Sequence, residues 1–260
     1  MNLTNILTSE QNLLLNFNGK KAVHKWIPSD SEEAFLYRLK KDPKNPSLLH
    51  YLNNPITYKL NNYGFRTPVD FVNGIEGNVF LGCSHTFGIG NYLENTWSWK
   101  LNEYIGGNFL NLGTNGACIG TGFRLLYGLK GMIRPKNVFL FFPHPYRFEY
   151  YIANPPRWRT VSVHSKGTMP LILEKNNMEM YYYLHFNAIE TLCKELDVPL
   201  YAVGPFDLNN PKHDVFPTCA RDKHFSPSSN IIILEEFKRA YNNKIKPYSR
   251  PWNDYYLKVL

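Results

Sequence analysis

The chain is expected to fold as one α/β domain built on a mostly parallel sheet, and three observations predict it. From Asn78 onward, short apolar runs alternate with stretches of helical periodicity, as βα units require. Two of those runs pass through glycine-rich turns directly into a helix, Val79 to Gly90 and Asn111 to Gly120. The 260 residues, 43% hydrophobic and 15% aromatic, hold enough apolar area for a large core without cross-links or metals.

Residues 1–75 read as a polar, turn-rich lead-in that packs on the main domain, 76–260. Lys40-Lys41-Asp42-Pro43-Lys44-Asn45-Pro46 reads as a loop. Ile56-Thr57-Tyr58-Lys59-Leu60 alternates and carries strand formers, and Asn61-Asn62-Tyr63-Gly64 reads as the turn after it. The core strands are expected at Val79–Gly82, Phe109–Leu112, Val138–Phe142 and Leu200–Val203, each too continuously apolar for an exposed face. Leu93, Trp97, Leu101 and Ile105 make one helical stripe, and Tyr182, Phe186, Ile189, Cys193 and Leu196 another. A third helix is expected over about 118–130. A last one starts at Pro227, with Ser226 as N-cap and proline in the first turn. Residues 145–175 fit neither period and read as an insertion after the third strand, where loops of an open sheet shape a site.

Composition excludes several classes. The four cysteines, Cys83, Cys118, Cys193 and Cys219, form no CxxC pair, against a zinc or thioredoxin site. A reducing compartment is the simplest reading, with two bridges as the alternative. The amino-terminal stretch lacks the basic start and apolar run of a secretory signal, and no 18-residue apolar segment occurs, so a cytoplasmic protein with no membrane association is expected. The net charge of +8 is scattered, with no run of five basic residues, so no specific nucleic-acid face is expected.

The chemistry concentrates in four segments. Gly82-Cys83-Ser84-His85-Thr86-Phe87-Gly88 places Ser84 at the carboxyl end of the first core strand, where open sheets bind ligands; a serine there is a nucleophile or only a helix cap. It is not the Gly-x-Ser-x-Gly elbow, because Thr86 stands at the second glycine. Gly113-Thr114-Asn115-Gly116 opens the next strand-to-helix turn. Gly113, Gly116 and Gly120 also match a dinucleotide fingerprint, but no acid closes a strand about 20 residues later. After the third strand comes Phe142-Pro143-His144-Pro145-Tyr146-Arg147-Phe148-Glu149, in which Arg147 either clamps an anionic or sugar substrate or pairs structurally with Glu149. Late in the chain, Asp222-Lys223-His224-Phe225-Ser226-Pro227 puts an acid and an imidazole just before the last helix.

In this order the segments resemble the blocks of the SGNH, or GDSL-like, hydrolases. The resemblance spans roughly residues 56–242, including the lead-in stretch Ile56 to Arg66. It implies a three-layer α/β/α, flavodoxin-like sandwich and a serine esterase or acyltransferase that needs no cofactor or metal. Ser84 is then the nucleophile, His224 the base and Asp222 its partner, with Ser84, Gly116 and His144 around the oxyanion. Cys83 replaces the family's aspartate. The Gly-x-Asn-Asp block is missing, its place taken by Pro-x-Arg-Phe-Glu as in a divergent branch. Asp-x-His is one residue shorter than the family's Asp-x-x-His, which leaves open a dyad with a backbone acceptor, or Asp214 as the carboxylate. Tyr146, Arg147 and Trp158, with Arg159 beside them, point to a carbohydrate ester. The rival reading is a non-catalytic module that binds a glycan or a protein on the same scaffold.

Overall fold

The computed structural model describes residues 21–27, 30–145, 147–154, 156–162, 175–204 and 224–244. The lead-in holds β1 (Ala22–His24), α1 (Glu32–Lys41), α2 (Pro46–Asn53) and β2 (Tyr58–Leu60), with β1 and β2 paired antiparallel. The main domain follows as β3 (Ile75–Leu81), α3 (Ser84–Phe87), α4 (Trp97–Ile105), β4 (Phe109–Asn111), α5 (Ile119–Leu129) and β5 (Ile133–Phe141). After these come β6 (Arg147–Ala153), β7 (Pro156–Ser162), α6 (Lys175–Glu195), β8 (Leu200–Val203) and α7 (Pro227–Asn242).

The central sheet has four described strands, all parallel, in the order β4-β3-β5-β8. Numbered along the chain this is 2-1-3-4, the doubly wound order of flavodoxin-like folds, in which β3 and β5 flank the switch point. Alternation along each strand sorts the core into two faces. Val79, Leu81, Leu110, Val138, Leu140, Leu200 and Ala202 meet Leu125 and Leu129 of α5 and Tyr182, Ile189 and Cys193 of α6. Phe80, Phe109, Phe139, Phe141 and Tyr201 meet Trp97 and Leu101 of α4 and Ile233 and Phe237 of α7. The result is a three-layer α/β/α sandwich with one aliphatic and one aromatic interface. Phe80, Phe139 and Tyr201 stand in register on neighbouring strands and stack at 5.2 Å each. Trp97 lies flat on Phe237 at 4.4 Å, joining α4 to α7.

The expected strands and helices are present, with β3 and β5 each starting several residues earlier than their apolar runs. Ser226 caps α7 as expected, accepting from the Ser229 N–H at 3.3 Å. Over its described residues the lead-in holds more regular structure than its composition indicates. Ser31 caps α1, and Asn45, expected in a loop, caps α2 with Pro46 in its first turn. The stretch expected as an irregular insertion holds the antiparallel pair of β6 and β7; 146, 155 and 163–174 lie outside the described residues. Among the described residues, no helix is long and apolar enough to cross a membrane, and Cys83, Cys118 and Cys193 are free and buried.

One buried side chain fastens the lead-in to the sheet. Arg66, 1% exposed, donates to the carbonyls of Phe87, Gly88 and Asn91 at 3.1, 2.5 and 2.8 Å. Its guanidinium lies 4.7 Å above the Tyr58 ring, and the Tyr58 hydroxyl donates to buried Asp30 and accepts from the Gly90 N–H. Arg66→Met keeps the length of the side chain and removes every donor. With buried carbonyls left unpaired at about 1–3 kcal/mol each, it is expected to cost at least about 3 kcal/mol in urea unfolding, against less than about 1 kcal/mol for exposed Lys40→Met.

Candidate active site

At the end of β3 the chain must turn where there is no space for a side chain. Gly82 has φ +149°, and a Cβ there would lie 2.1 Å from Thr86 Oγ1 and 2.8 Å from the Phe141 carbonyl. Only glycine fits. Cys83 then stands as the N-cap residue, its carbonyl accepting from the Thr86 and Phe87 N–H groups at 3.0 Å each, and Ser84 is the first residue of α3. Ser84 therefore caps nothing. The residue is 5% exposed, and among the described residues its hydroxyl has no hydrogen-bond partner.

The next turn is laid alongside. The parallel ladder runs on past β4, with Leu112 N–H donating to the Phe80 carbonyl at 2.8 Å and Thr114 N–H to the Gly82 carbonyl at 3.1 Å. Gly113 presses on α3 so closely that a Cβ would sit 2.7 Å from the Phe87 nitrogen. Ala117 N–H closes a turn onto the Thr114 carbonyl at 3.3 Å, and Gly116 is its third residue with φ +69°, as a type II turn demands. Gly116 thus follows two residues after the neighbour of Gly82.

The third contribution is the segment ahead of α7. Asn91 Nδ2 donates to the Phe225 carbonyl at 2.9 Å, and Asn230 Oδ1 accepts from the Trp97 N–H at 3.0 Å. These bonds hold the start of α7 against the loop that follows Ser84. The His85 ring stacks on Phe225, centroids 3.6 Å apart at 15°, and meets the edge of the His224 ring at 5.4 Å and 62°. His224 is thereby brought to the residue next to Ser84, although no hydrogen bond joins it to the serine hydroxyl. Burial, then the charges of His224 and Arg147, pushes the His85 imidazole down to about 3.

The other expected residues are distributed unevenly. Asp222, the fallback Asp214 and Tyr146 lie outside the described residues. His144 is exposed, just beyond Pro143, whose carbonyl accepts from the Tyr182 hydroxyl at 3.3 Å. Arg147 opens β6 half-buried, with no ion-pair or hydrogen-bond partner for its guanidinium among the described residues. The alternative in which it pairs with Glu149 does not hold. The Glu149 side chain is 4% exposed and accepts from Arg124 Nε and Nη2 at 2.8 and 2.9 Å and from Thr121 Oγ1 at 2.7 Å. Trp158 covers that pair, its ring 4.9 Å from the Arg124 guanidinium, so it bears on the hairpin anchor. Cys118, beside Gly116, is pushed up to about 11, first by burial and then by Glu149, which leaves an inert thiol. Among the described residues no three His, Cys, Asp or Glu side chains gather as metal ligands would. His85, Phe225 and Asn91 were not expected at the site. Only the position of His85 directly after the serine signalled it.

No protein-family model and no curated protein matches the chain. Several solved structures are similar to it. A candidate lipolytic protein of the G-D-S-L family from Desulfitobacterium hafniense DCB-2 is 13% identical, with 64% of this chain and 98% of that one covered and a TM-score of 0.33. A gut microbial diltiazem-metabolizing enzyme is 16% identical over 70% of this chain and 38% of its own, at a TM-score of 0.31. A candidate SGNH hydrolase from Slackia heliotrinireducens is 12% identical over 63% of this chain and 98% of its own, at 0.28. Two of these three carry the family names that the motifs resemble. With TM-scores no higher than 0.33, the likeness says nothing about the site, whose reading rests on this chain's own residues.

The depressed His85 imidazole has a consequence for stability. Unfolded His85 takes up a proton near its ordinary 6.5, whereas the folded group stays neutral down to about 3. Between these values the unfolded state binds more protons, so this contribution is complete above about 6.5 and is lost as pH falls toward about 3. The melting temperature of the wild type is expected to fall more steeply between about pH 7 and pH 4 than that of His85→Phe, measured by circular dichroism.

Proposed function

We propose that the chain is a serine acyl hydrolase. Ser84 Oγ attacks an acyl carbonyl while its proton passes to His224, and the alcohol leaves with that proton as the acyl-serine forms. Water then enters by the same route in reverse, or a second alcohol does so in an acyltransferase. Asp222 holds the imidazole tautomer and offsets the imidazolium. The N–H groups of Ser84 and Gly116 face the oxyanion, and His144 is a further candidate donor.

One observation carries this reading. A serine hydroxyl with no hydrogen-bond partner among the described residues, at the carboxyl end of β3, shares its edge of the sheet with an imidazole from a segment about 140 residues away, held there through Phe225 and Asn91. Arg147, whose guanidinium has no partner among the described residues, stands on the same edge and supports an oxygen-rich substrate such as an O-acylated sugar. Trp158 supports this less, because its ring already covers Arg124.

A fluorophosphonate probe is expected to label the wild type and to leave Ser84→Ala blank, with p-nitrophenyl acetate turnover lost in parallel. His224→Ala is expected to cut turnover on the order of 10³-fold. Absence of Ser84-dependent label and turnover overturns the hydrolase and leaves a glycan- or protein-binding module on the same scaffold.

A further inference from the structure

Asn91 lies in the loop after α3, 2% exposed, on a backbone that is fixed from both sides. Its N–H donates to the Gly88 carbonyl at 3.3 Å, and its own carbonyl accepts from Arg66 Nη2 at 2.8 Å. From there Nδ2 donates twice, to the Ile89 carbonyl at 3.0 Å and to the Phe225 carbonyl at 2.9 Å. The first bond sets the direction of the amide, and the second ties it to the residue after His224. Oδ1 is buried with no hydrogen-bond partner among the described residues, so the amide is held by its donors alone.

We propose that Asn91 is a positioning residue for the base: its side-chain amide, acting through the Phe225 carbonyl, sets where the His224 imidazole stands relative to Ser84. The inference rests on the serine hydrolase reading and deepens it.

The docking of α7 does not depend on this bond. That helix has its own hold on the domain in the flat stack of Phe237 on Trp97 at 4.4 Å and the bond from the Trp97 N–H to Asn230 Oδ1 at 3.0 Å. Phe225 lies ahead of the helix and its Ser226 cap, and it is held by both its carbonyl and its ring. The carbonyl is on Asn91, and the ring is stacked on His85 at 3.6 Å. Both anchors belong to the stretch that begins at Ser84. That stretch is closed on itself, because the Gly88 and Ile89 N–H groups both donate to the Ser84 carbonyl, at 2.8 and 3.1 Å. A continuous path of hydrogen bonds therefore runs from the Ser84 backbone through Ile89 and the Asn91 amide to the residue beside His224. An aspartate of the same shape could not complete it, since an ionised carboxylate has no donor for the two carbonyls. Misplacing a reacting group by about 1 Å costs about 10²-fold in rate, so the loss of this one amide is expected to show in kcat.

A double-mutant cycle tests this on p-nitrophenyl acetate, with the Ser84→Ala rate subtracted. Asn91→Ala is expected to lower kcat about 10²-fold with KM changed by less than about twofold. In the His224→Ala background the same substitution is expected to change turnover by less than about twofold, because the base it places is gone. Melting followed by circular dichroism establishes that each variant is folded at the assay temperature. If Asn91→Ala is not, Asn91→Ser, whose hydroxyl stops one bond short of Nδ2, replaces it in both arms with the same expectation. Equal losses in the two backgrounds, as a general structural defect would give, overturn the inference, and so does wild-type kcat in the Asn91 variant. Absence of Ser84-dependent turnover in the wild type instead removes the hydrolase reading, and this inference with it.

Discussion

Three parts of the chain are joined through one guanidinium and one amide side chain. Arg66 lies in the lead-in, and its acceptors, Phe87, Gly88 and Asn91, are the end of α3 and the loop after it. That same Asn91 uses its side chain to hold the carbonyl of Phe225, the residue after His224. A cation 1% exposed is tolerated only where its donors are used and its charge is answered, and the buried Asp30–Tyr58 pair beneath it supplies a negative partner. The lead-in is therefore part of the site's support. It locks the two segments that bear the serine and the histidine onto each other.

The sheet is the rigid body against which this lock works. Its two faces are built of different materials: branched aliphatics pack on α5 and α6, and stacked aromatics on α4 and α7. Phe80, Phe139 and Tyr201 make a ladder across three strands, and Phe141 continues that face toward Phe225 at 6.3 Å. The aromatic layer thus runs from the core to the floor of the site without a break. On the other side, the buried Arg124–Glu149 pair fastens the β6–β7 hairpin to α5. The first residue of that hairpin is Arg147, so an ion pair inside the protein sets where this cation stands at its edge.

What could be read from the sequence follows from how each signal arises. Buried parallel strands announce themselves as short apolar runs, and Val138 to Phe142 and Leu200 to Val203 were found for that reason. The flanks of β3 and β5, Ile75 to Asn78 and Ile133 to Asn137, carry glycine, proline and charge, and the ladder alone makes them strand. Helices α1 and α2 each bury one residue, Phe35 and Leu48, so no apolar stripe marked them; their caps, Ser31 and Asn45-Pro46, were the legible trace. The hairpin was hidden because β6 and β7 pair only with each other in the described structure and alternate weakly. At the site, Ser84, Gly116 and His224 were legible as punctuation between strands and helices. Arg66, Asn91 and Phe225 were not, because a long-range hydrogen bond leaves no local pattern.

The two histidines at the site show how one environment separates two roles. They touch edge to face, and His224 adds to the burial that disfavours a proton on His85. His85 is the more enclosed, with one nitrogen sealed off and Arg147 on another side, and it gives up its proton first. On the proposed reading the proton that Ser84 releases goes to His224, because burial makes the neighbouring His85 ring the weaker base. The stack of His85 on Phe225 therefore does more than fill space. It keeps a second imidazole beside the serine while removing it from the competition for the serine's proton.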